Sequence, residues 1–134
     1  EKNLETLEIG KSNLVINKDS EIIILNFGAL METSMSVAEK LDCSLADMRF
    51  VKPLDTEFLK KIYDKKLIVT IEDGSRYGGA GSAVQEWFAD NNLNVITRSF
   101  GIPDEFIEHA SRDEMIKMAS LNGDAIFDQI KKLI

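Results

Sequence analysis

The chain has 134 residues, a formal net charge of −7 and a single cysteine. A domain of this length buries enough surface to fold without disulfides or a structural zinc site, and one cysteine cannot form an internal bridge. The negative charge opposes binding to nucleic acid or to an anionic membrane, because both present negative phosphates. We therefore expect a single domain over residues 1–134, in a reducing compartment, with no nucleic-acid or membrane partner.

The first half of the chain predicts two strands, a helix and a further strand. Residues 13–16 and 21–25 read as a hairpin whose second strand is buried and central. Apolar residues then recur at three- and four-residue intervals up to Leu41, which predicts a helix packed on the sheet. Residues 44–48 form a short strand. The expected buried face of the helix is Leu30, Met31, Met35, Ala38 and Leu41, and its solvent face is Glu32, Ser36, Glu39 and Lys40.

The middle of the chain predicts a helix and then the strongest strand. Asp55 lies where a side chain can cap the first turn of a helix, just after Pro53. Phe58, Leu59 and Ile62 form the expected buried stripe of that helix. Residues 66–72 are almost continuously apolar and β-branched, which predicts a parallel strand covered on both faces.

The last part predicts three helices and one more strand. A helix begins after a glycine loop and ends near Asn91, and residues 94–98 form the last strand. Ser111 and Glu114 have the spacing of a capping box at the start of the next helix. Asn122 or Asp124 opens the final helix. The expected inner faces are Ala83, Val84, Trp87 and Phe88 in the first of these helices, and Ile126, Ile130 and Leu133 in the last.

This alternation of strands and helices predicts the fold class. We expect an α/β domain with a doubly wound, mostly parallel sheet of about five strands, one antiparallel edge and helices on both faces. The first residue is not methionine, which suggests a fragment of a longer chain.

A glycine cluster offers a candidate anion site. Gly78, Gly79, Gly81 and Ser82 lie between a buried strand and a helix, where backbone amides and a helix N-terminus approach phosphates in open α/β folds. The cluster matches neither the dinucleotide fingerprint nor the P-loop. The alternative is that the glycines serve only a tight turn and close helix packing.

No catalytic constellation is visible in the sequence. Glu72 and Asp73 end a strand, but adjacent strand residues point to opposite faces and cannot act on one bond, so structural carboxylates are expected. His109 stands among acidic residues without a recognisable nucleophile. Cys43 reads as a small buried thiol. We expect no catalytic, cofactor-binding or metal-binding residue in this chain.

A second set of residues suggests a protein interface. Arg49 and Lys52 flank Phe50 in the connection before the second helix. The two cations could bind an anion at this end of the sheet, but arginine beside an aromatic residue is typical of the centre of an interface. We favour the interface.

Three segments carry a resemblance to a known family. Residues 47–55 (DMRFVKPLD), residues 78–82 (GGAGS) and residues 101–106 (GIPDEF) occur in the order found in the 1-deoxy-D-xylulose-5-phosphate synthase family, and the similarity extends from Ile9 to the final helix. The chain resembles the carboxyl-terminal, transketolase-type domain of that family. The loop of residues 72–77 departs from the family pattern, with Arg76 and Tyr77 adding bulk, so contacts around it are not transferred.

The resemblance implies a homodimeric enzyme that uses thiamine diphosphate and Mg²⁺ to decarboxylate pyruvate and join the remaining two carbons to glyceraldehyde 3-phosphate. The product feeds isoprenoid, thiamine and pyridoxal synthesis, in a bacterial cytoplasm or a plastid. In that family the cofactor and catalytic residues belong to the preceding domains. This domain alone is therefore expected to bind no cofactor and to be inactive, with a structural and dimerising role.

Two alternatives remain open. The chain could be the equivalent domain of another transketolase or of a 2-oxo acid dehydrogenase beta chain, acting in partner docking. It could also be a free-standing module that binds an anion through the glycine cluster.

Overall fold

The computed structural model of the chain describes residues 10–49, 51–73, 79–101 and 110–134. Five strands and four helices alternate along these segments. The strands are β1 (Asn13–Ile16), β2 (Ile22–Phe27), β3 (Ser44–Asp47), β4 (Leu67–Glu72) and β5 (Thr97–Gly101). The helices are α1 (Met31–Leu41), α2 (Thr56–Ile62), α3 (Ala80–Asp90) and α4 (Arg112–Lys131).

The strands form one sheet in the order β1-β3-β2-β4-β5. Three neighbouring pairs are parallel, and β1 pairs antiparallel with β3 at one edge. The predicted doubly wound, mostly parallel sheet with one antiparallel edge is confirmed. All six residues of β2 and of β4 are buried, as expected of strands that are covered on both faces.

The predicted hairpin between the first two strands is wrong. Both edges of β2 are taken by β3 and β4, so β1 has no edge of β2 to pair with. It pairs with β3 instead, with Leu14 opposite Ala46. The connection between β1 and β2 is also attached to β3, because the Lys18 amide donates to Ser44 Oγ at 2.9 Å and Ser44 Oγ donates to the Lys18 carbonyl at 3.1 Å.

Apolar residues pack on the sheet in two layers. On one face α1 and α4 cover the sheet, and on the other α2 and α3 cover it. Alternate residues of each strand divide between the layers: Ile24 faces α1 and α4, while Ile23 and Leu25 face α2 and α3. The buried face of α1 differs from the expected one in that Thr33, Ser34 and Val37 lie inside. Met31, Met35 and Leu41 are partly buried on its flank.

The chain closes with one helix where two were expected. α4 runs without a break through Asn122 and Asp124, so neither residue opens a new helix. Gly123, between these two residues, lies at the crossing of α4 and α1, where a Cβ atom would be 3.5 Å from Thr33. Ile126 and Ile130 are buried as predicted, but Leu133 lies beyond the end of the helix and is 42% exposed.

The last strand begins three residues later than expected. β5 starts at Thr97, opposite Ile68, and ends at Gly101, opposite Glu72. Ile96, which the sequence pattern assigned to the strand, is 57% exposed. Its carbonyl still accepts a hydrogen bond from the Ile68 amide at 3.0 Å, so the pairing with β4 starts at the edge of the strand.

Candidate functional site

The topology places the candidate site at the carboxyl edge of the sheet, between β2 and β4. The chain leaves β2 toward β3 on one side and later returns to β4 on the other, so the strand order reverses at this point. In open α/β sheets the crevice at such a reversal is the usual ligand-binding position. Asp73, which directly follows β4, bonds here to the loop after β2.

Glu72, the last residue of β4, bonds to the start of α3. Its Oε2 accepts a hydrogen bond from the Gly81 amide at 2.9 Å, and its Oε1 accepts one from the Ala80 amide at 3.2 Å. The residue is 6% exposed. The N-cap residue of α3 is Gly79, which has no side chain to accept these bonds, so the carboxylate of Glu72 caps the helix from the strand.

The start of α3 lies unusually close to the sheet at Gly81. A Cβ atom there would overlap Ser99 Oγ and would stand 2.8 Å from Thr70 Oγ1. Thr70 and Ser99 belong to the neighbouring strands β4 and β5, and the Thr70 hydroxyl donates to Ser99 Oγ at 2.8 Å. Glycine is therefore required at this position by close approach, which is the packing alternative that the sequence left open.

Asp73 also accepts a hydrogen bond from a backbone amide, on the opposite face of the sheet. Its Oδ2 accepts a hydrogen bond from the Ala29 amide at 2.8 Å, in the loop between β2 and α1. Gly28 in that loop has a φ of +93°, and a Cβ atom on it would lie 2.7 Å from Asp73 Cγ. Both acidic residues are thus hydrogen-bonded structural carboxylates directed to opposite faces, which confirms that interpretation of the pair.

A buried polar pair next to this crevice was not predicted. Ser34 Oγ donates to Asn26 Oδ1 at 2.8 Å, and Asn26 Nδ2 donates to the Gly28 carbonyl at 3.1 Å. Asn26 and Ser34 are both fully buried. The only sequence signal is an amide side chain in a strand that is otherwise apolar. These bonds fix the turn after β2 relative to α1.

Asp55 joins α2 to the segment that enters the sheet. Its Oδ1 accepts a hydrogen bond from the Phe58 amide at 3.1 Å, which confirms the predicted N-cap. Its Oδ2 accepts bonds from the Ser12 amide at 2.8 Å and from the Ser12 hydroxyl at 2.9 Å. Burial alone would raise the pKa of Asp55, but the bonds from Ser12 and Phe58 outweigh it and hold the pKa below its usual 3.8.

Cys43 lies in the core directly before β3, as expected of a small buried thiol. Burial raises the pKa of this thiol to about 11, with a smaller contribution from the charge of Asp42. A thiol with such a high pKa is a poor nucleophile at neutral pH, because the thiolate is the reactive form.

The residues of the predicted interface are only partly described. Arg49 follows β3, is exposed and has a φ of +66°, and Lys52 is exposed. Phe50 lies outside the described residues, so the interface at Arg49, Phe50 and Lys52 stays a prediction. His109, Arg76 and Tyr77 are also outside them.

The predicted anion site is likewise only partly described. Gly78 falls outside the described residues, Gly79 is the N-cap of α3, and Ser82 is half-buried in its first turn. The amides of Ala80 and Gly81, which an anion would use, already bond to Glu72. Binding of an external anion stays a prediction.

A cavity of about 900 Å³ opens between α1 and α4. Its lining is mixed, with Met31 and Met115 beside Glu32 and Arg112. The Lys40–Asp124 ion pair, at 2.7 Å, is also part of the lining. This mixture of apolar and oppositely charged groups favours no one class of ligand.

The described residues do not fit a divalent metal. Within residues 10–49, 51–73, 79–101 and 110–134, no three His, Cys, Asp or Glu side chains stand close enough to hold an ion. Mg²⁺ needs carboxylate ligands together with phosphate oxygens or water, and the carboxylates of Glu72 and Asp73 face away from each other into backbone amides. No helix in the described part of the chain is long and apolar enough to cross a membrane.

Comparison with known proteins agrees with this architecture. A family model described as the C-terminal domain of transketolase matches residues 10–126. A solved structure of a split-gene transketolase, described as an inactive beta4 tetramer, superposes with a TM-score of 0.71 over 91% of this chain and 44% of its own chain. Its sequence identity is 22%, so this likeness supports the fold alone.

Two curated relatives with high identity to this chain are synthases. The 1-deoxy-D-xylulose-5-phosphate synthase of Marinomonas sp. (strain MWYL1) is 45% identical over 131 residues, which is 98% of this chain and 21% of that protein. The synthase of Pseudoalteromonas translucida (strain TAC 125) is 42% identical over 133 residues, again 98% of this chain and 21% of that protein. The chain thus spans about a fifth of the length of these relatives, and the resemblance stated from the sequence motifs is confirmed. With a family model that matches residues 10–126, the chain belongs to the transketolase C-terminal domain family.

Proposed function

We propose that this chain is the C-terminal domain of a 1-deoxy-D-xylulose-5-phosphate synthase and that its role is structural and dimerising. The observation that carries the proposal is the 45% identity over 98% of the chain to a protein of that name. The matched transketolase structure is only 22% identical. This difference favours the synthase over other enzymes with the same domain.

The complete enzyme is proposed to be a thiamine diphosphate- and Mg²⁺-dependent transferase. It joins two carbons of pyruvate to glyceraldehyde 3-phosphate and releases the third as CO₂, and its product supplies isoprenoid, thiamine and pyridoxal synthesis. Thiamine diphosphate provides the carrier for the two-carbon unit when it is bound. The enzyme is proposed to act in a bacterial cytoplasm, or in a plastid.

What the described residues do is consistent with a supporting role. The carboxylates at the sheet reversal hold α3 and the β2–α1 loop in place, and Asp55 holds the segment that enters the sheet. The part of the chain that the structure describes brings together no donor set for a metal. In the family that the chain resembles, the cofactor and the catalytic residues belong to the preceding domains, so we propose that the chemistry of the complete enzyme lies there and that this domain alone is inactive.

The proposed dimer uses the carboxyl edge of the sheet. Arg49 is exposed there, immediately after β3, and it is a residue type enriched in interfaces. A two-fold contact is the commonest way for identical chains to associate.

An assay of the complete protein distinguishes the synthase from a transketolase and from a free-standing module. Purified with its native upstream sequence, it should form 1-deoxy-D-xylulose 5-phosphate and CO₂ from pyruvate and glyceraldehyde 3-phosphate, and omission of thiamine diphosphate or Mg²⁺ should abolish this. Transfer from a ketose phosphate to an aldose phosphate, without use of pyruvate, would identify a transketolase instead. Start and stop codons that bound these 134 residues would favour the free-standing module.

A further inference from the structure

The segment that enters the sheet is held at two points before β1 begins. Ser12 donates its backbone amide and its hydroxyl to Asp55 Oδ2, at 2.8 and 2.9 Å, across 43 positions of the chain. Two residues earlier, Gly10 has a φ of +78°, and a Cβ atom on it would stand 2.9 Å from Pro53 Cγ. Residues with side chains rarely adopt that φ, and the contact with Pro53 is too close for a Cβ atom, so both features require glycine.

These two contacts join the entering segment to a connection that is bonded at both of its ends. Pro53 and Asp55 lie in the connection between β3 and α2. At the start of this connection, the Met48 amide donates to the Asn26 carbonyl, in the central strand β2, at 2.9 Å. At its end, Asp55 Oδ1 accepts the bond from the Phe58 amide that caps α2. The entering segment is therefore attached to a fixed part of the domain.

The bonds to Ser12 are additional to the helix cap. A cap for α2 needs one acceptor oxygen, which serine, threonine or asparagine would also supply. Asp55 has a second oxygen, and Ser12 bonds to it twice. The Asp55 side chain is only 7% exposed, so water does not replace these donors easily. The second oxygen of Asp55 thus serves the entry of the chain.

We propose that the contacts of Gly10 with Pro53 and of Ser12 with Asp55 form an entry strap, which fixes where and in which direction the preceding part of the chain joins this domain. The proposal rests on the proposed function, in which this domain follows others, and the chain spans only 21% of the length of a matched synthase. The strap limits rotation about residues 10–12. Because Arg49 lies in the same connection, the strap also sets the entering segment relative to the predicted interface.

Trypsin tests the strap in the complete protein, because a cleavage site lies inside it. The peptide bond after Lys11 contains the Ser12 amide nitrogen that bonds to Asp55. A protease cuts such a bond only when the segment opens. Asp55→Asn keeps an oxygen for the cap of α2 but has no second oxygen for Ser12. Cleavage after Lys11 should be about 10-fold or more faster in this variant than in the natural protein. N-terminal sequencing identifies the product, which begins SNLVI.

Ser111→Ala is the matched control for a general loss of stability. Ser111 caps α4, on the other face of the sheet from α2, by accepting a bond from the Glu114 amide at 3.2 Å. Its loss weakens a helix cap, as a change at Asp55 can, but leaves every residue of the strap in place. Cleavage after Lys11 in Ser111→Ala should stay within about twofold of the natural rate.

Gly10→Ala provides a second test if Asp55→Asn does not fold. It leaves Asp55 and the cap of α2 unchanged, but the added methyl group strains the backbone and presses on Pro53. Cleavage after Lys11 should again be faster than in the natural protein. A natural rate in Asp55→Asn or in Gly10→Ala, or an equal increase in Ser111→Ala, would overturn the proposal. The assay uses no substrate or cofactor, so its outcome is independent of the reaction that the complete enzyme catalyses.

Discussion

Glu72 Oε2 and the Gly81 amide nitrogen are 2.9 Å apart, which joins the end of the central strand β4 to the first turn of α3. This bond forms only because Gly81 has no side chain, since a Cβ atom would overlap Ser99 and press against Thr70. The cap of α3 by Glu72 therefore requires the close packing of α3 on the sheet, and that packing requires glycine at position 81.

Gly81→Ala should destabilise the domain by about 1–3 kcal/mol, because the added methyl group must push α3 away from β4 and β5 and lengthen the bonds to Glu72. Gly123→Ala is the matched control. It is also a buried glycine inside a helix, but a Cβ atom there would stand 3.5 Å from Thr33, in ordinary contact. The higher helix propensity of alanine should leave Gly123→Ala unchanged or stabilised by up to about 1 kcal/mol. Urea unfolding of both variants measures the difference, and equal midpoints would contradict the close packing at Gly81.

The sequence patterns predict the sheet class well but not its edges. β2 and β4 are continuous apolar runs, so their burial and parallel pairing follow from composition. The pairing partner of β1 does not follow from composition, because a short strand can pair with any free strand edge. Here the free edge is that of β3. The predicted start of β5 differs from the observed one because Ile96 is apolar, as a core residue would be, but is exposed.

The candidate site is also only partly predictable from the sequence. A structural role for Glu72 and Asp73 follows from strand alternation, but their partners do not, since they lie on other elements. One signal could have indicated the cap: a carboxylate ends the strand before a helix whose own N-cap, Gly79, has no side chain. The sequence predicts two helices where α4 is continuous, because Asn122 and Asp124 are residue types that favour helix starts, whereas here they lie inside the helix, beside Gly123 at the crossing with α1.

Asp55 should make the stability of the domain sensitive to acid. Its pKa is lowered in the folded state, so its contribution is complete above the usual value of 3.8 and is lost as the pH falls below 3.8 toward the folded-state value. Asp55→Ala should lose about 2 kcal/mol near pH 7, from the helix cap and the bonds to Ser12.

Asp55→Asn separates the charge from the cap. Asparagine also caps helices well, so this variant should keep part of the stability near pH 7. Its urea midpoint should fall less than that of the natural chain between about pH 5 and about pH 3. Parallel pH profiles for the two proteins would show that the Asp55 bonds to Ser12 and Phe58 contribute no charge-dependent stability.

Cys43 should be protected from thiol reagents in the folded chain. With a pKa of about 11 and full burial, its thiolate is scarce near neutral pH. Modification by a disulfide reagent should be about 100-fold or more slower in the folded chain than in urea. Cys43→Ser supplies the background, since the chain has no other cysteine. Rapid modification under native conditions would mean that the core around Cys43, at the start of β3, opens readily.

Arg49 should matter for association of the complete enzyme. Arg49→Ala is expected to weaken the dimer about 10-fold or more in sedimentation, because arginine is enriched among the few interface residues whose truncation removes most of the binding energy. Lys61→Ala, an exposed substitution on α2, is the control and should leave the dimer unchanged. A dimer of natural stability in Arg49→Ala would remove this loop from the interface.

Titration calorimetry with thiamine diphosphate and Mg²⁺ tests the central claim most directly. The complete protein should bind the cofactor with a dissociation constant in the micromolar range or below, while the 134-residue chain, folded by circular dichroism, should give no binding heat. The described residues bring together no group of carboxylates that could hold Mg²⁺. Micromolar binding to the 134-residue chain would contradict the account, because it would place the cofactor site in the domain to which we assign only a supporting role.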